Sequence, residues 1–477
     1  MTPPEPSAHS GDAFAHRYDL AVIGGGSAGF SAAIAAAEEG AKVALVNAGT
    51  IGGTCVNVGC VPSKALIRAV EIFARAPAAR RFGGIEAEAR LTDWAETVAR
   101  KRALVEEMRA RKYVDLLPAW PSIRLIGGRA RLGEGGAIMV DGRPLDAGRV
   151  VIATGSRPYL PPIEGLAEAG CLTSTEALDL ETLPARLIII GAGYVGCELA
   201  QLFARAGVRV TLLSRRGILP QAEPEIRTDL MRHLAAEGIG IVTVKGYRAV
   251  ERRGAEIRLL PEGGAALVAD ALLVAAGRVP NTDGLGLEAA GVKTDHRGFV
   301  VTDAHMATSV PGIFAAGDVT GRDPFVYMAA HEGRVAALNA VKAAGLVRDG
   351  GPIPSVVFTD PALAAVGMTE AEARAKGHEV VTSLLPLEAV PRAAAARDVR
   401  GLIKLVADRE SGRLLGGQIL APEAGDSIQT LALAIRQGMT HEDLAATIFP
   451  YLTMVEGLKL AAQTFEKDVN RLSCCAG

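Results

Sequence analysis

The chain has 477 residues, with 51 Lys+Arg against 53 Asp+Glu, a formal net charge of −2 and both signs spread along its length. That balance excludes a nucleic-acid surface built from a basic block, and it excludes an acidic disordered tail; with only 4% aromatic residues, a base-stacking platform is excluded as well. The length exceeds what one hydrophobic core supports and implies about three domains, and six cysteines are too few for a secreted disulfide scaffold, which points to a reducing cytoplasm where paired cysteines do redox or metal chemistry.

Residues 1–17, MTPPEPSAHSGDAFAHR, have neither the basic lead nor the apolar core of a secretory signal and read as a flexible leader. Residues 18–46 run YDLAVIGGGSAGFSAAIAAAEEGAKVALV: an apolar strand, Gly24-x-Gly26-x-x-Gly29, an Ala-rich helix, Gly40 and a second strand. In that register the pattern is the βαβ dinucleotide fingerprint. Its glycines permit a tight turn, backbone approach to a pyrophosphate and close helix–strand packing, and the phosphate sits on the positive end of the helix. Residues 186–213, RLIIIGAGYVGCELAQLFARAGVRVTLL, repeat it with Gly191, Gly193 and Gly196. Two fingerprints predict two bound dinucleotides with electron transfer between them. LAVIGGGSAGFSAAIAAA and residues 43–63 have the length of a membrane span, but their Gly clusters, and the Asn and Pro of the second, fit strand, turn and helix better.

The second strands of the two fingerprints end differently. Asn47 stands where an acidic residue usually holds the ribose hydroxyls, so a weaker hydrogen-bonding group is offered there. After Ser214 come Arg215 and Arg216, two guanidiniums suited to a 2′-phosphate, which favours NADPH over NADH. A solvated surface pair is the plainer alternative. Short apolar strands then end in small-residue turns at VVIATGSRP (150–158), LLVAAGRVPN (272–281) and GIFAAGDVT (312–320); the last places Asp318 where a flavin nucleotide needs a polar contact. From about residue 354 the texture becomes α+β without a phosphate loop, as in a structural or interface domain, and PRAAAARDVR within it reads as surface helix or loop.

Between the first βαβ unit and the next helix lies the loop sequence GGTCVNVGCVPSKALI. Gly59 lets the chain bend Cys55 and Cys60 together. Pro62 suits a first helical turn, so Cys60 falls at a helix N-terminus, where the dipole lowers a thiol pKa. Lys64, one turn on, can stabilise a thiolate or a reduced flavin. A structural disulfide or two inert thiols would be the bland alternative.

On these motifs, GGTCVNVGCVPSK above all, the chain from residue 18 onward resembles the pyridine nucleotide–disulfide oxidoreductases. The resemblance implies FAD at the first fingerprint, with Thr54 and Asp318 among its contacts, and a pyridine nucleotide at the second. It implies Cys60 as the thiol beside the flavin, Cys55 as the interchange thiol, a Lys64–Glu198 pair, and Tyr194 over the nicotinamide. It further implies a homodimer with active sites shared across the interface. The expected fold class is α/β, with two Rossmann-like dinucleotide-binding domains plus a C-terminal α+β dimerisation domain. The expected order is leader (1–17), FAD-binding segment (18–160), NADPH-binding domain (161–285), second FAD-binding segment (286–350) and dimerisation domain with a Cys-Cys tail (351–477).

Disulfide-reducing members carry an acid–base His, then Pro-Thr and a Glu near the C-terminus. Here FPYLTMVEGLKLAAQTF puts Tyr451 at the His position and keeps Glu456. A phenol of pKa about 10 is a poor proton shuttle near neutrality, so this site is not built for dithiol–disulfide exchange. The chain ends LSCCAG. Adjacent Cys474 and Cys475 close only a small strained ring as a disulfide, but as two soft ligands they select soft metals. Together these features resemble the metal-ion-reducing branch of the family. That implies a tail pair in one subunit that takes Hg(II) from small thiols and passes it to Cys55 and Cys60 of the other, past Tyr113 and Tyr451. It also implies that electrons from NADPH reach the metal through FAD. Since the leader has no cysteine, an N-terminal Cys-x-x-Cys metal-binding domain is expected to be absent. The rival readings are a large thioredoxin reductase ending in Cys-Cys, which would be expected to keep the His, and a metal-sequestering protein using the nucleotide folds as scaffold. An inert tail is a third.

Overall fold

Strand β1 (Arg17–Ile23), helix α1 (Ser27–Glu38) and strand β2 (Val43–Asn47) form the first βαβ unit, β1 and β2 pairing in parallel with Leu20 opposite Val43. The structure is a computed structural model that describes residues 13–469; Cys474 and Cys475 lie outside the described residues. β1 is apolar on both sides because a parallel strand is covered on both faces. Leu20 and Val22 belong to one core layer with α1, Ala21 and Ile23 to the layer opposite. Each fully buried Leu or Ile here contributes roughly 1.5–3 kcal/mol.

The strand β3 (Ile123–Gly127) extends this sheet beyond β2, and Arg143–Ile152 pairs in parallel with β1 on the other side. Ile138–Val140 pairs antiparallel with that strand and Ala130–Leu132 antiparallel with Ile138–Val140 in turn, while Ile313–Ala315 pairs with Arg143–Ile152 in parallel. Helix Val326–Lys342 packs on α1 so closely that a Cβ at Gly333 would lie 2.1 Å from the Ala28 carbonyl oxygen. These pieces, residues up to 65, 96–159 and 277–349, make one compact unit.

The other unit takes residues 66–95, 160–276 and those from 350 on. Its parallel sheet runs Gly240–Thr243, Arg209–Ser214, Arg186–Ile190, Ala271–Val274, beside a three-stranded antiparallel sheet over residues 247–269 that the sequence patterns leave unassigned. The C-terminal part is the expected α+β texture: a five-stranded antiparallel sheet ordered Ser355–Val357, Ala362–Gly367, Leu414–Ala421, Leu402–Asp408, Val380–Pro386, with helices Ala424–Arg436 and Glu456–Gln463 over its core. Buried Lys404 ties these parts together. Its ammonium donates to Glu223 (3.0 Å), Glu225 (3.0 Å) and Glu370 (2.9 Å).

Two local expectations are corrected. GGTCVNVGC is not a loop: it forms α2 (Gly53–Val58) and the start of α3 (Cys60–Arg75). The Asn57 amide donates to the Ile51 and Gly53 carbonyls, both at 2.9 Å, and closes a helix too short to stand by propensity alone. PRAAAARDVR contains a short helix, Pro391–Ala395, yet it is not a surface segment throughout. Ala393 and Asp398 are buried, the latter because Arg400 pairs with it. The two stretches of membrane-span length are strand–turn–helix, and no helix among the described residues is long and apolar enough to cross a membrane.

Candidate active site

The first glycine turn is sterically forced. Gly24 has φ +117°, and a Cβ there would sit 2.2 Å from the Ala153 carbonyl oxygen; a Cβ at Gly29 would sit 1.7 Å from the Gly24 oxygen. The N-cap of α1 is Gly26, which offers no side chain to the helix amides, so the first turn of a twelve-residue helix presents its N–H groups to a ligand. The Asn47 Oδ1 accepts from Gly25 N–H (3.0 Å) and its Nδ2 donates to the Gly49 carbonyl (2.5 Å), so its amide braces the turn. The hydroxyl of Thr154, at the end of the neighbouring strand, is buried with no hydrogen-bond partner among the described residues. An orphaned hydroxyl beside a turn of bare amides fits a phosphate-bearing cofactor such as FAD.

Asp318 lies in the turn Gly317–Thr320. It accepts from Ser156 Oγ (2.7 Å), which in turn accepts from Arg278 Nε (2.6 Å); Arg278 also reaches Asp318 at 3.7 Å. Burial pushes the Arg278 guanidinium down, while the nearby Asp318 carboxylate and the Cys60 sulfur hold it up. Thr154, Ser156 and Arg278 are residues that sequence reasoning missed. They lie inside the quoted strand-end motifs VVIATGSRP and LLVAAGRVPN, where strand-end position was the available signal.

The Cys55 and Cys60 side chains lie within hydrogen-bonding reach of one another. Cys55 is half-buried in α2 and Cys60 is exposed as the first residue of α3. Gly59 between them is required by close approach, since a Cβ there would lie 2.9 Å from the Thr54 carbonyl oxygen. The Cys60 hydrogen bond, then burial, push the Cys55 thiol far up, and the Lys64 charge works against them. Thr54 itself is exposed at the start of α2.

Tyr113 comes to this pair from a distant part of the sequence. It sits in a π-helical turn, Ala110–Val114, that continues the helix α4 (Trp94–Arg109). Its ring meets Phe30 edge-on at 4.9 Å, its hydroxyl bonds to Ser27, and Cys55 and Cys60 are both within its electrostatic reach. Burial, ahead of the opposing Ser27 bond, pushes the phenol up. Arg109, one turn earlier, donates to Asn57 (3.2 Å) and links α4 to α2.

In the other unit the second glycine turn has the same construction. A Cβ at Gly196 would lie 1.8 Å from the Gly191 oxygen, while Gly193 faces open space and caps the helix Tyr194–Arg205 with no side-chain bond. Arg215 and Arg216 are exposed beyond strand Arg209–Ser214; Ser214 Oγ accepts from Arg216 N–H (3.2 Å) and donates to the Gly217 carbonyl (2.6 Å), which fixes the turn carrying them. Bare helix amides and two exposed guanidiniums fit a dinucleotide with an extra phosphate. Tyr194 is half-buried with its hydroxyl on Ser355 (3.0 Å), and Glu198 is buried, accepting from Phe358 N–H (3.0 Å). Lys64 lies in α3 in the first unit, and Glu198 lies in the second.

Near the C-terminus Tyr451 is 58% exposed and Glu456 buried. Glu456 begins the helix Glu456–Gln463 and accepts from Leu452 N–H (3.2 Å), closing the turn that presents Tyr451.

The pyridine nucleotide-disulphide oxidoreductase family matches residues 18–337, and that family's dimerisation domain matches residues 353–462. The chain is 47% identical to the mercuric reductase of Streptomyces lividans over 98% of its own length and 99% of that protein's. It is 45% identical to the mercuric reductase of Staphylococcus aureus, over 96% and 84% respectively. Among solved structures, the HOCl-induced flavoprotein disulfide reductase RclA from Escherichia coli matches with a TM-score of 0.84 and 31% identity, over 94% of this chain and 99% of that one.

Proposed function

The chain belongs to the pyridine nucleotide-disulphide oxidoreductases, and on that premise we propose that it reduces Hg(II) to Hg(0) with electrons from NADPH, through FAD and the Cys55–Cys60 pair. The observation that carries this reading is the closeness of two thiols, Cys55 in α2 and Cys60 at the start of α3. Two adjacent sulfurs are a soft bidentate seat for a soft cation. Similarity to proteins named mercuric reductases over nearly the whole chain supports the choice of metal.

The overall balance is NADPH + Hg(II) → NADP+ + H+ + Hg(0); two electrons leave the nicotinamide and two reach the metal. FAD, when bound, supplies the two-electron carrier between them. The protein's own groups do the rest. The bare amides at Gly26 and Gly193 bind phosphates, Asp318 is oriented by Ser156 and Arg278, and Arg215 and Arg216 select the 2′-phosphate. Cys55 and Cys60 together form the seat for the metal, each giving up its proton to the metal exchange. Tyr113 keeps its phenolic proton and offers a neutral oxygen beside the sulfurs. Tyr451, exposed on its turn, offers a second such oxygen rather than an imidazole, so the site lacks the acid–base group that disulfide exchange needs.

Dimerisation through the C-terminal domain would let one protomer's Tyr451 and tail serve its partner's sulfurs. Cys474 and Cys475 would take Hg(II) from small thiols there. The test is NADPH oxidation with and without Hg(II) in excess thiol, with trapping of volatile mercury. Metal-dependent oxidation that yields trapped Hg(0) is expected. Equal oxidation with a small disulfide in place of the metal would instead favour the disulfide-reductase reading.

A further inference from the structure

The helix Tyr194–Arg205 carries a polar stripe along one face. Tyr194, Glu198, Gln201 and Arg205 follow one another at spacings of four, three and four residues. At about 100° per residue they fall within an arc of about 60°.

All four engage one short segment, residues 355–360. The Tyr194 hydroxyl is 3.0 Å from Ser355 Oγ, and Glu198 accepts from Phe358 N–H at 3.0 Å. The Gln201 amide accepts from Asp360 N–H (2.8 Å) and donates to the Asp360 carbonyl (2.9 Å), and Arg205 donates to the Asp360 carboxylate (3.0 Å). The same carboxylate accepts from Arg400 (2.9 Å) and Arg75 (3.3 Å). Glu198, Gln201 and Asp360 are all buried, so these bonds are shielded from water.

The stripe does for a helix what a ladder does for a strand. A slip of the segment by one residue would break all of these bonds together, which fixes its register. The anchored end is Asp360, held from three sides by guanidiniums. The other end is Ser355, whose hydroxyl meets the Tyr194 phenol.

We propose that Ser355 is the positioning residue for Tyr194, with the Gln201–Asp360 pair setting the register that brings the Ser355 hydroxyl to it. This rests on the reading that the second glycine turn binds NADPH with Tyr194 against the nicotinamide. A phenol already held at its hydroxyl end loses less freedom when a nucleotide arrives, so the bond acts through preorganisation.

The experiment is calorimetric titration of NADP+, which cannot turn over, into the flavin-loaded protein. It uses wild type, Ser355→Ala, Ser355→Thr, Tyr194→Phe and the Ser355→Ala/Tyr194→Phe double variant. Loss of that preorganisation predicts a Kd raised about fivefold in Ser355→Ala, and loss of the bond from the folded protein lowers the thermal midpoint by no more than a few degrees. Ser355→Thr, which keeps the hydroxyl, restores the wild-type value. Tyr194→Phe matches Ser355→Ala, and the double variant is no weaker than either single one, as for two halves of one contact. Gln201→Met is expected to weaken binding similarly; should it fail to fold, the Ser355/Tyr194 cycle still decides. An unchanged or lower Kd in Ser355→Ala, or fully additive single effects, overturns the proposal. If wild type fails to bind NADP+, the nucleotide reading itself falls and takes the proposal with it, an outcome distinct from a tight wild type with an indifferent Ser355.

Discussion

The Cys55 side chain lies within hydrogen-bonding reach of that of Cys60 across the junction of two consecutive helices, α2 and α3. Two sulfurs at one helical junction can hold a single soft metal ion between them. The consequences of that pairing, and of the groups around it, can be measured.

Replacing either sulfur removes a ligand. Even changes to groups that only support a metal ligand cost about 10–100-fold. Cys55→Ala and Cys60→Ala are therefore each expected to lower mercury-dependent NADPH oxidation by on the order of a hundredfold or more. The long-wavelength absorbance of a thiolate against oxidised flavin should vanish in Cys60→Ala alone. Its persistence there would contradict the assignment of Cys60 as the sulfur next to the ring.

The hydrogen bond with Cys60, and then burial, keep the Cys55 thiol protonated far above neutrality. Metal uptake must displace that proton. Affinity for Hg(II) therefore rises with pH, by about a decade per unit for each proton displaced. Competition against a chelating dithiol between pH 6 and 8 measures the slope. Cys55→Ser should flatten it, and a slope of zero in the wild type would contradict the displaced proton.

Tyr113 stands beside both sulfurs with its phenol held up by burial. Tyr113→Phe deletes the oxygen and keeps the ring against Phe30. Turnover with Hg(II) is expected to fall about three- to tenfold, the worth of one polar contact. Stopped-flow reduction of the flavin by NADPH should be unchanged. A slowed reductive half-reaction would mean that Tyr113 acts on the flavin and not on the metal.

Arg215 and Arg216 are exposed on a turn pinned by Ser214. The double change Arg215→Ala/Arg216→Ala is expected to raise the KM for NADPH roughly 10–100-fold through lost charge-assisted bonds, with the KM for NADH little changed. Equal loss with both nucleotides would remove these residues from 2′-phosphate recognition.

Asp398 is pushed up by burial, but hydrogen bonds from Arg400 and the charges of Arg400 and Arg81 outweigh this and hold it at about 2. Since the folded value lies below the ordinary 3.8, its contribution to stability is fully present above about pH 4 and is lost as the pH falls toward 2. Asp398→Asn should lower the thermal midpoint at pH 7 and flatten its fall between those limits. An acid limb identical to wild type would show that the carboxylate adds nothing.

The nucleotide turns and the sulfur pair were legible in the sequence because their chemistry is written in short spacings. Gly24, Gly26 and Gly29 lie within one turn, and Cys55 and Cys60 within one helical junction. The helicity of α2 was not legible, since six residues carry too little propensity and the Asn57 bonds that close it appear only in three dimensions. The bonds of Asn47 were not legible for a related reason. Its position matched a ribose-binding site, but whether its amide faces the ligand or the Gly25 N–H is decided by the turn around it.

The sequence by itself determined the kind of chemistry: two dinucleotides, a thiol pair, and a Tyr in place of an acid–base His, all of them local patterns of residue type and spacing. Only the tertiary structure decided which distant groups serve them. Tyr113 reaches the sulfurs, Ser156 and Arg278 brace Asp318, and residues 355–360 clamp the helix of Tyr194 and Glu198. Those contacts join residues from some fifty to more than 160 positions apart. At such separations no periodicity links the partners, and it is the burial of the apolar layers between them that brings the polar groups within bonding distance.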